Sequence, residues 1–340
     1  MKIELPGFRE DMLRVEQFLW DFFPPRQDKD PVNEILHAVL DAPGKRIRPQ
    51  LLLLTGRLGA DFSAKRERLC KLAAIVECIH TASLIHDDIV DDSPLRRGQP
   101  TIQSRFGKDM AVYTGDLILS RVMTELFKGN FCQAGIRLGE TIHAMCCGEL
   151  KQFDCRYRID ITPESYREAV FGKTVALLAS SCWIGGMESG CSAGVLTAVE
   201  EYGKHLGYLF QIRDDLLDFL SEEIREGKPT HMDFQEGILT LPVLFALEHP
   251  KYQPEIRRLV TAAAKRRLTD EEQEYLEHVV RISGGLNGAI MEMDVHYKSA
   301  CAALERIPDM EITAIFRTIL QVLLISVPDK FTATPAMAAG

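Results

Sequence analysis

Apolar side chains recur along this chain at intervals of three and four residues, which is the spacing of one face of an α-helix. In the first such segment Phe8, Met12, Val15 and Leu19 follow one another in this way. A further segment, at about 66–92, contains neither glycine nor proline. Further helices are predicted at about 108–128, 133–157, 163–188, 194–222, 237–248, 251–265, 270–304 (interrupted near Gly284) and 310–326.

The same pattern predicts the fold class. Long segments of alternating polar and apolar residues, which would indicate half-buried strands, are missing from the sequence. No segment rich in Pro, Gly or Ser divides the chain, and no internal repeat of solenoid length is present. We therefore predict an all-α protein, a large single-domain helical bundle over residues 1–328, followed by a flexible tail at 329–340.

Composition narrows the class of protein. The chain has 340 residues, of which 46% are hydrophobic and 26% charged, as in globular proteins with a large core. Its net charge of −9 argues against a partner bound through overall charge, such as nucleic acid, because phosphate binding requires a basic surplus. Nine cysteines occur without a Cys-x-x-Cys pair, mostly in apolar helical segments, so buried reduced thiols are expected. With neither a signal-peptide core nor a run of the roughly 18 apolar residues that a membrane span needs, a cytoplasmic protein without a membrane span is expected.

An aspartate cluster ends the apolar segment at about 66–92. Residues four apart on a helix differ by only about 40° around its axis, so Asp87 and Asp91 should share a face with Asp88 beside them. Carboxylates placed so close together repel one another, but a hard divalent cation such as Mg²⁺ compensates their charge. For this cluster alone, a solvated acidic helix end is an equally good interpretation.

The spacing occurs a second time. Asp214, Asp215 and Asp218 repeat the Asp-Asp-x-x-Asp pattern on another apolar helix. Helical bundles build metal sites from carboxylates on facing helices, so the repeat favours the metal interpretation. Basic loop segments stand beside both clusters, at 44–49, 94–98 and 227–229. Because Arg and Lys suit phosphate oxygens, the pattern indicates magnesium-assisted handling of diphosphates.

Six motifs in order resemble those of the trans-isoprenyl diphosphate synthases, the polyprenyl synthetase family, and the resemblance runs from about residue 30 to 250. They are GKRIRP at 44–49, DDIVDDSPLRRGQPT at 87–101, GELKQ at 148–152, GKT at 172–174, LGYLFQIRDDLLD at 206–218 and GKPTHMDFQEGILTLP at 227–242. The resemblance implies an all-α bundle around a deep central cavity. It implies a prenyltransferase that condenses isopentenyl diphosphate with an allylic diphosphate, in isoprene biosynthesis, and a homodimer.

The resemblance also implies roles for individual residues. About three Mg²⁺ ions per active site are implied as cofactors, bound by Asp87, Asp88, Asp91, Asp214, Asp215 and Asp218. Isopentenyl diphosphate would be bound by Lys45, Arg48, His80 and Arg97, and the allylic diphosphate by Arg96, Lys173 and Lys228. Thr174 and Gln211 would face the developing carbocation, and Glu149 and Gln152 would line the cavity. The catalytic set is thus Lys173, Thr174, Gln211, Asp87 and Asp214.

Product length depends on the residues one turn before the first cluster. Ala82 and Ser83 lie beneath the face of Asp87, where a growing prenyl tail must pass. Short-chain members of the family place an aromatic residue there, so these small side chains predict a medium- to long-chain product, longer than farnesyl. Ordinary close helix packing is the alternative reason for small residues.

Three positions depart from the family's pattern. Gln103 stands where His or Asn is common, His231 replaces a smaller or basic residue, and Ile238 stands where many members have Lys. An isoleucine cannot contact a phosphate, so Lys228 is the safer assignment in that segment.

Two other functions share part of this pattern. A class I terpene cyclase also uses metal-triggered ionisation, but it has a different second metal motif and lacks a site for a second substrate. A non-catalytic subunit of a heteromeric prenyl synthase should have lost aspartates, and all six are present.

Overall fold

The computed structural model describes residues 3–24, 30–42, 44–220 and 232–325. The assignments to Lys228 and His231 and the tail at 329–340 lie outside these residues. The helices are α1 (Phe8–Asp21), α2 (Pro31–Leu40), α3 (Ile47–Gly56), α4 (Phe62–Val90), α5 (Ile102–Phe106), α6 (Lys108–Lys128), α7 (Cys132–Asp154), α8 (Pro163–Val170), α9 (Ala176–Glu188), α10 (Ala193–Leu220), α11 (Met232–Gln235), α12 (Leu241–Leu247), α13 (Gln253–Ala263), α14 (Asp270–Ile282), α15 (Gly285–Leu304) and α16 (Met310–Ile325).

The predicted all-α class is confirmed, since helices dominate the described residues and the hairpin of β1 (Leu95–Arg96) and β2 (Gln99–Pro100) is short. One turn of π-helix at Phe171–Val175 links α8 to α9. Local sequence explains the helix starts: Thr162 caps α8 by accepting from the Ser165 amide at 3.2 Å, and Thr269 forms a capping box with Glu272 on α14.

The chain folds into two compact units, Met1–Ile142 with Leu177–Glu200, and His143–Ala176 with Glu201–Gly340. In the first unit α4 packs against α1, α3 and α6, and Leu51–Leu54 of α3 are fully buried. In the second unit α12 packs against α8, α13, α14 and α15. Burial of these apolar faces is the main source of stability in each unit.

Two apolar segments are long enough to cross a membrane by length and composition, Phe62–Val90 and Pro163–Glu188. Of their most apolar windows, 67% and 78% respectively is buried inside the protein. Packing against other helices therefore accounts for their apolar composition.

All nine cysteines are free thiols, but the expectation that most are buried was wrong. Cys70, Cys78 and Cys182 are buried, whereas Cys132, Cys146 and Cys147 are exposed. These three exposed cysteines all lie on α7. The apolar composition of α7 does not show which of its positions are buried, because a cysteine is compatible with either a buried or an exposed position. Burial raises the pKa of the Cys70 thiol to about 12 and thus keeps it protonated.

Candidate active site

The first aspartate motif occupies the end of α4, in the first unit. Asp88 is buried, with 6% of its surface exposed, while Asp87 and Asp91 are half-buried. Asp88 therefore differs in burial from the two aspartates of the motif that are four residues apart. Nε of Arg96 donates to Oδ1 of Asp88 at 2.8 Å, and this arginine therefore neutralises the buried carboxylate.

The hairpin β1–β2 brings Arg96 back to the helix end. Arg97 and Gly98 form its two-residue turn with φ of 52° and 76°, the pair of positive values that a type I′ turn requires. Gln103 donates from Nε2 to the carbonyl oxygens of Asp88 at 2.7 Å and Ser93 at 3.0 Å. The departure at Gln103 thus has a structural role, since its amide ties the connecting loop to α4.

Cationic and imidazole groups accompany this motif. Burial lowers the pKa of Arg48 to about 10, an effect that Glu77 opposes and Arg97 increases. Nε of Arg48 is buried without a hydrogen-bond partner among the residues that the structure describes. Burial, and after it the charges of Arg48 and Arg97, lowers the pKa of His80 to about 2, so this imidazole is neutral at physiological pH. These positively charged arginines and the neutral imidazole suit an anion, and Lys45, three residues before Arg48, is exposed.

The second aspartate motif lies on α10, in the part that belongs to the second unit. Asp215 is 1% exposed, whereas Asp214 is exposed and Asp218 half-buried. The hydroxyl of Tyr166 donates to Oδ2 of Asp215 at 2.5 Å, and Nε2 of Gln211 donates to Oδ1 at 2.9 Å. Burial raises the pKa of Asp215 to about 6, and these two hydrogen bonds oppose that rise.

Lys173 and Thr174 project from the π-helical turn. Nζ of Lys173 donates to Oε1 of Gln152 at 2.9 Å and lies 3.4 Å from Oε2 of Glu149. Oγ1 of Thr174, which is buried, donates to Oε1 of Gln211 at 2.9 Å. Single π turns inside helices are frequent at functional sites.

Sequence reasoning missed two residues of this group. Tyr166 carries no motif of its own, and only its hydrogen bond to Asp215 reveals it. Asp233 stands inside the motif at 227–242, but the resemblance gave it no role. Burial, followed by the charges of Asp215 and Asp218, raises the pKa of Asp233 to about 7, so this carboxyl belongs to the same acidic group.

The segment after Asp233 explains another departure. The amide of Ile238 donates to the carbonyl oxygen of Asp233 at 2.8 Å, and its side chain is half-buried. Ile238 therefore closes the turn after α11 through its backbone.

The proposed chain-length residues lie in the first unit. Ala82 is fully buried, and Ser83 is half-buried, with Oγ donating to the carbonyl oxygen of His80 at 2.9 Å. Ile75, Cys78 and Ile79, in the preceding turns of α4, are buried.

The sequence pattern of the polyprenyl synthetase family matches residues 29–282. The chain belongs to the polyprenyl synthetase family. It is 32% identical over 283 residues to heptaprenyl diphosphate synthase component 2 of Bacillus subtilis (strain 168), covering 83% of this chain and 79% of that protein. It is 31% identical over 285 residues to octaprenyl diphosphate synthase of Escherichia coli (strain K12), covering 83% and 86%.

Solved structures agree with this membership. The decaprenyl diphosphate synthase from Rhodobacter capsulatus superposes with a TM-score of 0.86 at 28% identity, covering 95% of this chain and 98% of that one. The heptaprenyl diphosphate synthase from Staphylococcus aureus gives a TM-score of 0.83 at 26% identity, covering 93% and 97%. This family member is thus an enzyme that transfers prenyl groups, with the all-α fold of the isoprenyl diphosphate synthases. The terpene cyclase and the non-catalytic subunit are not favoured.

Proposed function

We propose that the enzyme condenses isopentenyl diphosphate with an allylic diphosphate and releases a trans-polyprenyl diphosphate longer than farnesyl. The observation that best supports this function is a feature common to α4 and α10. In the aspartate motif of each helix, the second aspartate is buried and its carboxylate accepts hydrogen bonds from neighbouring side chains. Arg96 holds Asp88, and Tyr166 with Gln211 holds Asp215. The first aspartate of each motif is more accessible than the middle one. The names of the relatives support a long-chain product.

The carboxylates fit Mg²⁺. Among the described residues, no three His, Cys, Asp or Glu side chains form a group that could hold a metal ion on their own. Mg²⁺ suits such positions, since it keeps several waters and binds one or two carboxylates together with substrate phosphates. The family resemblance assigns ions to Asp87, Asp88 and Asp91 in the first unit and to Asp214, Asp215 and Asp218 in the second, about three in all. Bound there, Mg²⁺ stabilises the charge of the leaving diphosphate.

Side chains of the protein bind the two diphosphates and stabilise the developing carbocation. Arg48, Arg97 and Lys45 bind the diphosphate of isopentenyl diphosphate by charge, and neutral His80 contributes a hydrogen bond. Lys173 binds the allylic diphosphate, to which the family resemblance also assigns Arg96 and Lys228. Gln152 and Glu149 orient the Lys173 ammonium, and Thr174 and Gln211 place their dipoles at the carbon where positive charge develops.

An incubation with labelled isopentenyl diphosphate, Mg²⁺ and one allylic primer at a time tests this function. Chromatography of the dephosphorylated products should show chains longer than farnesyl. If no primer is elongated, the synthase proposal is wrong. If the primer is instead converted to a cyclic product without isopentenyl diphosphate, the terpene cyclase is correct.

Product length should shorten when the passage beneath Asp87 is narrowed. We expect Ser83→Phe and Ala82→Phe to shift the products by several isoprene units, because an aromatic ring would obstruct the tail. Ser83 is half-buried and tolerates a larger side chain better than the fully buried Ala82, so the pair separates obstruction from misfolding. Ala64→Phe, at an exposed position of α4, is the control and should leave the products unchanged. An unchanged distribution in folded Ser83→Phe and Ala82→Phe contradicts the assignment.

We further propose a cytoplasmic homodimer. An exposed apolar stripe on α6 supports self-association, with Tyr113 at 70%, Met123 at 56% and Phe127 at 76% exposure. Phe127→Glu should halve the mass measured by light scattering, whereas Met291→Glu, equally exposed on α15, should not. Because one relative is named as a single component of its synthase, a monomeric wild-type chain would instead indicate a need for a second protein.

A further inference from the structure

Asp215 is enclosed in a way that differs from an ordinary metal ligand. Both of its carboxylate oxygens already accept a hydrogen bond, Oδ2 from Tyr166 and Oδ1 from Gln211. The side chain is also almost completely buried. A carboxylate that coordinates Mg²⁺ binds the ion through one of its oxygens. To coordinate Mg²⁺, Asp215 would have to break its hydrogen bond with Tyr166 or the one with Gln211.

The hydrogen bonds form a chain with a fixed direction. An ionised carboxylate only accepts hydrogen bonds, so Gln211 must present its NH₂ group to Asp215. The carbonyl oxygen of the same amide then points to Thr174, and the Thr174 hydroxyl must donate its single proton to it. No described residue donates to Thr174 Oγ1, so within the described part of the chain both of its lone pairs remain available to a positive centre.

Tyr166 is itself fixed by its neighbours on α8. The next residue, Arg167, donates from Nε to Oε1 of Glu292 at 2.6 Å and from Nη2 to Oε2 at 3.0 Å. The hydroxyl of Tyr208 donates to the carbonyl oxygen of Arg167 at 3.3 Å. The bidentate ion pair between Arg167 and Glu292 is geometrically specific. Together with the Tyr208 hydrogen bond it fixes the position of α8, and so keeps the Tyr166 hydroxyl at Asp215.

We propose that Asp215 and Tyr166 are positioning residues, which set the orientation of the Gln211 amide so that Thr174 presents oxygen lone pairs to the allylic cation. The proposal rests on the proposed function and replaces the role of Asp215 as a metal ligand. Asp214 and Asp218 keep their assignment to the metal. Pre-set dipoles of this kind act where charge develops in the transition state, without reorganising during the reaction.

Variants that exchange the Gln211 amide and the Asp215 carboxylate test the direction of these hydrogen bonds. In Asp215→Asn the new amide can donate to Gln211, which permits the Gln211 amide to turn and the Thr174 hydroxyl to accept. We expect kcat to fall by about a hundredfold, the size of effect seen when an aligned dipole is lost. In the double variant Gln211→Glu with Asp215→Asn, the Asn donates to the Glu, and Thr174 again donates its proton. The double variant should recover at least about tenfold over Asp215→Asn, because the original direction is restored.

Metal binding supplies a second measurement. Mn²⁺ binding in the presence of inorganic diphosphate, followed by electron paramagnetic resonance, should be much weaker in Asp214→Asn than in Asp215→Asn, because only the first variant loses a carboxylate assigned to the ion. Tyr166→Phe should lower kcat by about tenfold without changing Mn²⁺ affinity, as expected for one lost hydrogen bond to a charged group. Tyr202→Phe is the matched control, since this buried tyrosine donates to the carbonyl oxygen of Phe316 at 3.2 Å, and its kcat should stay near wild type.

Three results would overturn the proposal: equal loss of Mn²⁺ affinity in Asp215→Asn and Asp214→Asn, no recovery in the double variant, or equal kcat in Tyr166→Phe and Tyr202→Phe. An inactive wild-type enzyme would overturn the proposed function, and the Mn²⁺ measurements would then still decide whether Asp215 binds metal.

Discussion

Asp87→Ala and Asp214→Ala should each reduce prenyl transfer by about a thousandfold or more, because each removes a carboxylate that holds charge-neutralising cations at the leaving diphosphate. Both side chains lie at accessible positions of their motifs. Neither should carry much folding energy, since Asp214 is exposed and Asp87 is half-buried rather than part of the core. Steady-state kinetics at saturating substrates, together with circular dichroism, measures the two effects separately.

The controls are aspartates outside the motifs. Asp109→Ala in α6 and Asp294→Ala in α15 remove exposed carboxylates from the first and second unit respectively. Both should retain nearly full turnover. Adding more Mg²⁺ should partly restore the motif variants if their defect is weakened binding. Near-normal turnover in either motif variant would contradict its assignment to the metal.

The long helices could be predicted because their periodicity is strong. The predicted helix at 108–128 is α6 itself, and the interruption near Gly284 is the break between α14 and α15. Here the positive φ of Gly284, 87°, ends one helix and begins the next. An amphipathic pattern identifies such helices without tertiary information.

Other elements left no periodic signal. The π-helical turn at Phe171–Val175 continues the apolar pattern of its neighbours and differs only in hydrogen bonding. The predicted helix at 163–188 therefore covers α8, this turn and α9 as one element. The residues around Gly98 indicate only a loop in the sequence, since strands of two residues are too short to show alternation.

In the candidate site, too, some residues could be predicted from the sequence and others could not. The six aspartates could be identified because their spacing is repeated and charged residues in an apolar helix require a reason. Tyr166 could not, because nothing in the sequence links a tyrosine of α8 to a carboxylate 49 residues later. Asp88 and Asp215 are buried, whereas the other aspartates of their motifs are not. The spacing of the aspartates in the sequence could not predict this difference in burial.

Gly172→Ala should disable the enzyme by displacing the π-helical turn that carries Lys173. A Cβ atom at position 172 would lie 2.4 Å from the carbonyl oxygen of Ala144 and 2.7 Å from Cα of Gly148. Both are backbone atoms of α7, so the two segments must move apart. A displacement of about 1 Å at a binding group costs about a hundredfold in rate, and overpacking of this kind costs about 3 kcal/mol of stability.

The kinetic pattern distinguishes misplacement of Lys173 from general damage. Since Lys173 is assigned to the allylic diphosphate, Gly172→Ala should raise the KM for the allylic primer by about tenfold while the KM for isopentenyl diphosphate changes little. Gly194→Ala, where a new Cβ meets open space, should match wild type in both constants and in melting temperature. If Gly172→Ala also matched wild type, the close backbone approach of α7 would not be what places Lys173. Equal rises in both KM values would instead show that the whole fold had been disturbed, because the groups assigned to isopentenyl diphosphate belong to the other unit.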